Sequence, residues 1–413
     1  MLLKLITDNL KDVFDSENHR FKKGMRQMKV RYYGWVGLVL VALLGGEVVT
    51  AESVGIESDL LSYTVLNYDE DEEILNYNGD NVYAIASITK LMTYYVAMDA
   101  VEKGEIGQTD LVTIGDYPPT KKGSTMALEK GEEVPFSKLL EGIMICSAND
   151  ACVAIDEHVA GTEKAFVAKM NQEAKRMGLK TARFINSTGL TENGAYNVMS
   201  ARDVAKLAQN VIERFPEVLD LSSKRYVDHK GEVYPNTNPL VWEMEGVDGL
   251  KTGATIQAKN CLVATMKMPM TSYNQKRGRV IAVTIGAETE EIRKTTTQRL
   301  LEYTTSHFGY RNILSAFAPL GQVTTANGGK VYAYPQKNLC GLPLKNRKYT
   351  HQIEWTTEKL EASQVKAGTV LGKVDLYKNG ELYDTTPLVV KAEPEYYKFF
   401  MALFQKFMNN KIG

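Results

Sequence analysis

Two stretches with strand-like alternation bracket a long helical middle, and this arrangement constrains the chain most. Residues 60–86 read "LLSYTVLNY", an acidic turn "DEDEE", then "ILNYNGDNVYAIAS". Apolar and polar residues alternate there as a half-buried strand requires. "NCLVATMKM" and "GRVIAVTIGA" repeat that pattern some two hundred residues later, and "TEEIRKTTTQRLLEYTTSHFG" closes the region as a helix. Between them the period is helical. Ile88, Leu91, Met92, Tyr95 and Met98 recur at helical spacing up to Gly104. Residues 137–180 read as helices with a break near Ser147, and Met199–Pro216 is amphipathic with Ser200 as its cap. Residues 105–136 read as irregular. A single sheet that takes strands from both ends of the segment satisfies this order. The expected class is therefore α/β (α+β), with an antiparallel sheet and a helical cluster.

The texture changes after about Tyr310. "VYAYPQ", "YTHQIEW" and "TVLGKVDLYKNGELYDTTPLVV" are short strands with turn residues, and "KNGEL" is a hairpin signal. The expected organisation is an N-terminal extension and signal over 1–51, a main domain over 52–310, a small all-β domain over 311–391, and an amphipathic helix over 392–413. In that last segment Tyr396, Phe399, Phe400, Leu403, Phe404, Phe407 and Met408 share one helical face, while Lys398, Gln405, Lys406, Asn409 and Lys411 lie mainly off it. Such a pattern suits the plane of a membrane surface; packing on the β domain or on a partner is the other reading.

The amino terminus has the features of an export signal. Residues 1–31 hold eight basic side chains, the apolar run Tyr32–Gly46 follows, and Val49-Thr50-Ala51 supplies small residues for cleavage. Fifteen apolar residues are fewer than the roughly 20 of a membrane span. An uncleaved anchor or a core segment remain the alternatives. "MKVRYYGWVGLVLVALLGGEVVTA" is a complete signal by itself, so Met25 or Met28 compete with Met1 as the start. The net charge of −1 excludes bulk electrostatic attraction to nucleic acid. Cys146, Cys152, Cys261 and Cys340 form no metal-type pair and read as buried thiols, one disulfide being the alternative. The histidines make no HExxH pattern, so zinc hydrolysis has no support, and no cofactor motif is present.

The chemistry lies in three short motifs. In "AIASITKLMT", Ser87 precedes Lys90 by three positions at an apparent helix start. That spacing puts both side chains on one face. A carboxylate or amide is the usual residue there, and the helix dipole disfavours a cation. Dipole and partial burial together lower a lysine pKa, and a neutral lysine activates a serine. "ICSANDACVA" supplies Ser147-Ala148-Asn149, otherwise an ordinary helix cap. "VDGLKTGAT" supplies Lys251-Thr252-Gly253, otherwise a plain turn before a strand. Ser-x-x-Lys, Ser-x-Asn and Lys-Thr-Gly in this order are shared by penicillin-binding proteins and serine β-lactamases.

On these motifs the sequence resembles the low-molecular-mass penicillin-binding proteins that are serine-type D-alanyl-D-alanine carboxypeptidases. "GSTMALEKGEEVPFSKLLEGIMICSANDA", "FINSTGLTENGAYNVMSARDVAKLA" and "NTNPLVW" extend the likeness over roughly residues 55–395. The resemblance implies a β-lactamase/transpeptidase-like catalytic domain. It implies Ser87 as nucleophile, Lys90 as proton acceptor and Ser147 as proton relay. Asn149 would orient the substrate amide, and Lys251 and Thr252 would receive the terminal carboxylate. Gly253 would admit the substrate closely, and Ser87 and Ala254 would lend backbone N–H groups to an oxyanion hole. It implies a stem peptide ending in D-Ala-D-Ala as substrate, β-lactams as covalent inhibitors, and a membrane-held enzyme outside the cytoplasm. Ala254 and Lys259 depart from the family pattern, where a larger or polar residue and a glycine are common, and leave substrate preference open. Two other readings share the motifs. A class A β-lactamase would need a Glu-x-x-Leu-Asn element, which "PEVLDL" (Pro216–Leu221) matches poorly. A non-catalytic wall-binding scaffold would not need all six polar residues of the motifs.

Overall fold

The computed structural model describes residues 53–270, 276–344, 347–356 and 360–391. The expected signal and terminal helix lie outside the described residues. Five antiparallel strands form the main sheet: β1 (Ser62–Asn67), β2 (Glu72–Tyr77), β3 (Val247–Thr255), β4 (Lys259–Lys267) and β5 (Arg279–Ala287). Their order is β2-β1-β5-β4-β3. Strands from the two ends of the segment meet at the β1–β5 pair, where Val65 lies opposite Ala282 and Leu66 opposite Ile281. The sheet joins both ends as the alternation predicts.

Every residue of β5 is buried, because both faces of the sheet are covered. Ile281, Val283 and Ile285 point into the helical core. Val280 and Ala282 point the other way, into a second core that holds Leu300 and Leu301. Period two thus serves two cores at once. The helices of the first core are α1 (Lys90–Glu102), α2 (Phe136–Met144), α3 (Asn149–Ala160), α4 (Glu163–Arg176) and α5 (Ala201–Arg214). The closing helix α6 (Glu290–His307) backs the second. In α5, Val204, Leu207, Ala208, Val211 and Ile212 make the buried stripe, and Ser200 Oγ accepts the Asp203 N–H at 3.2 Å. Such a cap is worth about 1 kcal/mol.

Two local expectations change. Residues 105–136 are not wholly irregular: Leu111–Thr113 pairs with Glu133–Pro135, but three-residue strands are too short to show a period. Val82–Ala84 leaves the main sheet and pairs with Val198–Ser200. Among the described residues all four cysteines are free thiols; Cys146, Cys152 and Cys261 are buried and Cys340 is partly exposed.

A second five-stranded antiparallel sheet follows: β6 (Gly321–Thr324), β7 (Lys330–Pro335), β8 (Tyr349–Trp355), β9 (Val370–Lys378) and β10 (Glu381–Val389), in the order β6-β7-β10-β9-β8. The β9–β10 hairpin turns through Asn379 (φ 53°) and Gly380 (φ 92°). Both left-handed residues are what a two-residue turn between twisted strands demands.

The acidic turn "DEDEE" has a structural task. Glu70 accepts from Arg347 at 2.7 Å, from Lys378 at 3.2 Å and from the Tyr383 hydroxyl at 2.7 Å. Arg347 also pairs with Glu72, and its side chain is fully buried. The first sheet's turn is thereby held by three residues of the all-β part. Removing one partner of a buried ion pair strands the other and costs roughly 3–5 kcal/mol. Arg347→Ala is expected to lower the unfolding free energy in urea by an amount near the bottom of that range, since Lys378 and Tyr383 remain on Glu70. A loss well under about 1 kcal/mol, as surface pairs give, would show the clasp to be energetically idle.

Candidate active site

Ser87 sits in a 3-10 turn, Ala86–Thr89, rather than in the α-helix itself, and Lys90 is the first residue of α1. The tighter turn brings positions i and i+3 into eclipse, so the pair faces one another more directly than an α-helix would allow. Lys90 Nζ donates to Ser87 Oγ at 2.9 Å, to Asn149 Oδ1 at 2.8 Å and to the Thr188 carbonyl at 2.7 Å. The Ser87 hydroxyl donates to the same carbonyl at 3.4 Å. Lys90 is wholly buried, and burial lowers its pKa below the ordinary lysine value, with Cys152, Cys146 and Asp150 partly opposing the shift. Three acceptors satisfy an ammonium. When one proton leaves, Asn149 and Thr188 keep their donors and a lone pair turns to Ser87.

Two glycines press on the turn that carries Ser87. A Cβ at Gly189 would overlap the Ala86 carbonyl oxygen and approach Ser87 N at 2.9 Å. A Cβ at Gly253 would meet Ile85 O at 2.9 Å, Ser87 N at 3.0 Å and Ile88 N at 3.1 Å. Gly253 was expected to make room for substrate. In the structure the space it leaves is taken by the turn that carries Ser87. Ala86 itself holds φ 45°, a strained value for a residue with a side chain.

The second motif lies between α2 and α3. Ser147 is buried and left-handed, with φ 64°, the kind of backbone strain that collects at functional sites. Asn149 uses both ends of its amide: Oδ1 receives Lys90, and Nδ2 donates to the Lys122 carbonyl at 2.7 Å. The third motif is on β3, the edge of the main sheet. Lys251 is fully buried and donates to the Thr252 carbonyl at 3.0 Å. Burial, and after it the charge of Lys90, pushes its pKa well below the ordinary lysine value. The Thr252 and Thr237 hydroxyls lie 2.5 Å apart. Burial raises the thiols of Cys146 and Cys152 to about 11 and about 12, so neither is a reactive thiolate at neutral pH.

Several supporting residues lie outside the three motifs. Asp150 accepts from the backbone N–H groups of Met126 and Leu128 and so fixes the loop behind Asn149. Asn197 Nδ2 donates to Thr89 Oγ1 and to the Asn186 carbonyl, and Asn186 Oδ1 accepts from Gly189 N; together they set the loop that offers the Thr188 carbonyl. Arg293, on α6, is buried, donates to the Thr237 carbonyl at 3.3 Å and has its pKa lowered by burial. Among the described residues its Nε has no partner, so an unspent guanidinium donor stands beside Thr237. A lone buried Arg on a helix has no motif, and only the fold reveals its place.

A serine hydroxyl held against a buried amine, beside a sheet-edge strand, is the arrangement of an acyl-transferring serine hydrolase. Comparison with known proteins specifies the class. Residues 48–289 match the family model of D-alanyl-D-alanine carboxypeptidase, and residues 311–396 match that of the penicillin-binding protein 5 C-terminal domain. D-alanyl-D-alanine carboxypeptidase DacF of Bacillus subtilis is 31% identical over 340 residues, which is 80% of this chain and 85% of DacF. Penicillin binding protein 5 from Haemophilus influenzae superposes with a TM-score of 0.61 at 28% identity, over 84% of this chain and 99% of that one. Penicillin-Binding Protein D2 from Listeria monocytogenes, in a cefotaxime bound form, gives a TM-score of 0.53 at 28% identity, over 59% and 96%. The chain belongs to the D-alanyl-D-alanine carboxypeptidase family.

Proposed function

We propose that the chain removes the C-terminal D-alanine from peptidoglycan stem peptides ending in D-Ala-D-Ala. The observation that carries this reading is the 2.9 Å contact between Ser87 Oγ and a fully buried Lys90. Neutral Lys90 takes the Ser87 proton as Oγ attacks the carbonyl between the two D-alanines. The tetrahedral oxyanion is received by the backbone N–H groups of Ser87 and Ala254, donors that typically matter a hundredfold or more in rate. Ser147 relays a proton to the departing amine, the C–N bond breaks, and D-alanine leaves. Water then adds to the acyl-enzyme, Ser87 recovers its proton, and the shortened peptide is released. Asn149 holds Lys90 and faces the substrate amide. Lys251 and Thr252, backed by Arg293, receive the terminal carboxylate. The edge of β3 pairs with the peptide backbone, and β-lactams acylate the same serine.

The test is direct: D-alanine release from a synthetic D-Ala-D-Ala peptide, together with labelling by fluorescent penicillin. Labelling without release would contradict hydrolytic turnover, and neither would leave the scaffold reading.

The same reading assigns 52–310 to catalysis and 311–391 to a supporting domain, in a protein exported to the outer face of the cytoplasmic membrane. The sequence of 392–413 supplies the apolar face for holding it there. Among the described residues no helix is long and apolar enough to cross a membrane. Truncation after Glu393 is expected to move the protein from the membrane pellet to the supernatant with peptide turnover unchanged. Undiminished pelleting of the truncated form would give that segment another task.

A further inference from the structure

We propose that Asp156 is a positioning residue for the acyl transfer: through Ser187 it holds the Thr188 carbonyl in line with the Lys90 amine. The inference rests on Lys90 acting as the base in the carboxypeptidase reading, and adds the group that orients that base. None of the three motifs contains Asp156. It lies on α3 seven residues after Asn149, two turns along the same face of the helix.

A neutral lysine amine has two N–H donors and one lone pair. The lone pair of Lys90 meets Ser87 only when both donors are held elsewhere. Their acceptors are Asn149 Oδ1 at 2.8 Å and the Thr188 carbonyl at 2.7 Å. Each acceptor has its own holder. The Asn149 amide is fixed by its bond to the Lys122 carbonyl. The Thr188 carbonyl belongs to a loop, and that loop is gripped at Ser187 from two helices. The Ser187 carbonyl accepts from Thr93 Oγ1 at 2.7 Å, one turn beyond Lys90 on α1. The Ser187 hydroxyl donates to Asp156 Oδ2 at 2.5 Å, from α3. The next carbonyl along the chain is the one that Lys90 uses.

The charge on this holder matters. Asp156 is wholly buried, and among the described residues its Oδ1 has no partner. A carboxylate so placed would leave a charged oxygen unsatisfied. Burial pushes its pKa well above the ordinary carboxylate value. The Ser187 bond and the Lys121 charge from the 116–124 loop oppose the shift, while Glu163 on α4 and Glu157 on α3 add to it. Lys90 on α1 and the Cys152 thiol on α3 complete the titratable groups around it. An ionised Asp156 would raise the Lys90 pKa and leave less free amine. In its acid form it grips Ser187 without setting a negative charge beside the base.

The experiment follows the rate of acylation by benzylpenicillin across the ascending limb of the pH profile. It compares the native chain with Asp156→Asn, Asp156→Ala, Ser187→Ala and the double alanine variant. Asp156→Asn keeps an acceptor for Ser187 and is expected to react at close to the native rate. Its limb should stay in place, because no charge is lost. Asp156→Ala is expected to lower the plateau rate roughly tenfold, the scale of one hydrogen bond. Its limb should move to lower pH, because a slack Thr188 carbonyl supports the ammonium less. Ser187→Ala breaks the same link from its other end with the carboxyl left in place, and should reproduce both effects even if Asp156→Ala fails to fold. The double variant should be no slower than either single one, as one shared link requires. Additive losses in the double variant, native acylation in Ser187→Ala, or an Asp156→Asn variant that is slow or has a displaced limb would overturn the proposal. A native chain that benzylpenicillin does not acylate would contradict the Ser87–Lys90 reading instead.

Discussion

Ser87→Ala is expected to reduce fluorescent penicillin labelling to background and to abolish D-alanine release, with kcat down on the order of 10⁴-fold or more. No neighbour can substitute. The nearest thiols, Cys146 and Cys152, are buried and held protonated, and the Ala86–Thr89 turn aims only position 87 at Lys90. The substitution removes one oxygen from a turn fixed by backbone contacts, so its thermal unfolding should match that of the native chain. Retained labelling in a folded variant would remove Ser87 from the role of nucleophile.

Lys90→Met is expected to slow acylation by about 10²–10⁴-fold, the usual contribution of a positioned general base. Methionine keeps an unbranched apolar side chain in the same buried slot, deletes the amine and exchanges one methylene for sulfur. The native enzyme carries a matching signature. Acylation needs neutral Lys90, whose fraction grows as pH rises. Burial lowers its pKa, so the ascending limb should be centred below the ordinary lysine value of 10.5. Lys251 is buried beside it with a pKa lowered in part by Lys90, so the limb reports the pair rather than one residue. A limb centred near 10.5, or native-like acylation in Lys90→Met, would show that the base lies elsewhere.

The sheet was legible because its strands alternate long enough to show a period, and the motifs because each is local in sequence. Ser87 and Lys90 could be paired from spacing alone. What spacing could not give is the 3-10 turn, since nothing in "AIASITKLMT" distinguishes it from an α-helical first turn. Gly253 illustrates a different limit. A glycine announces that something comes close, and only the fold says that the visitor is the backbone of residues 85–88. Asn197 acts through Thr89, 108 residues away, and Arg293 through Thr237, 56 residues away, so no short window of sequence contains either pair. Nothing local in the acidic turn at 69–73 announces its counter-charges, Arg347 and Lys378, which lie about three hundred residues on.

The glycines at 189 and 253 also bear on drug escape. A bacterium under β-lactam pressure gains by reshaping the pocket around the reactive hydroxyl while sparing its natural substrate. Here that route is closed from two directions. Any side chain at either position must displace the backbone of residues 85–88, and with it the Ser87 hydroxyl to which the proposed reaction assigns both drug and peptide. Resistance arising in this enzyme would have to be written at the cleft's outer rim, at positions such as Ala254 and Ile256, where a larger side chain meets open solvent before it meets the machinery.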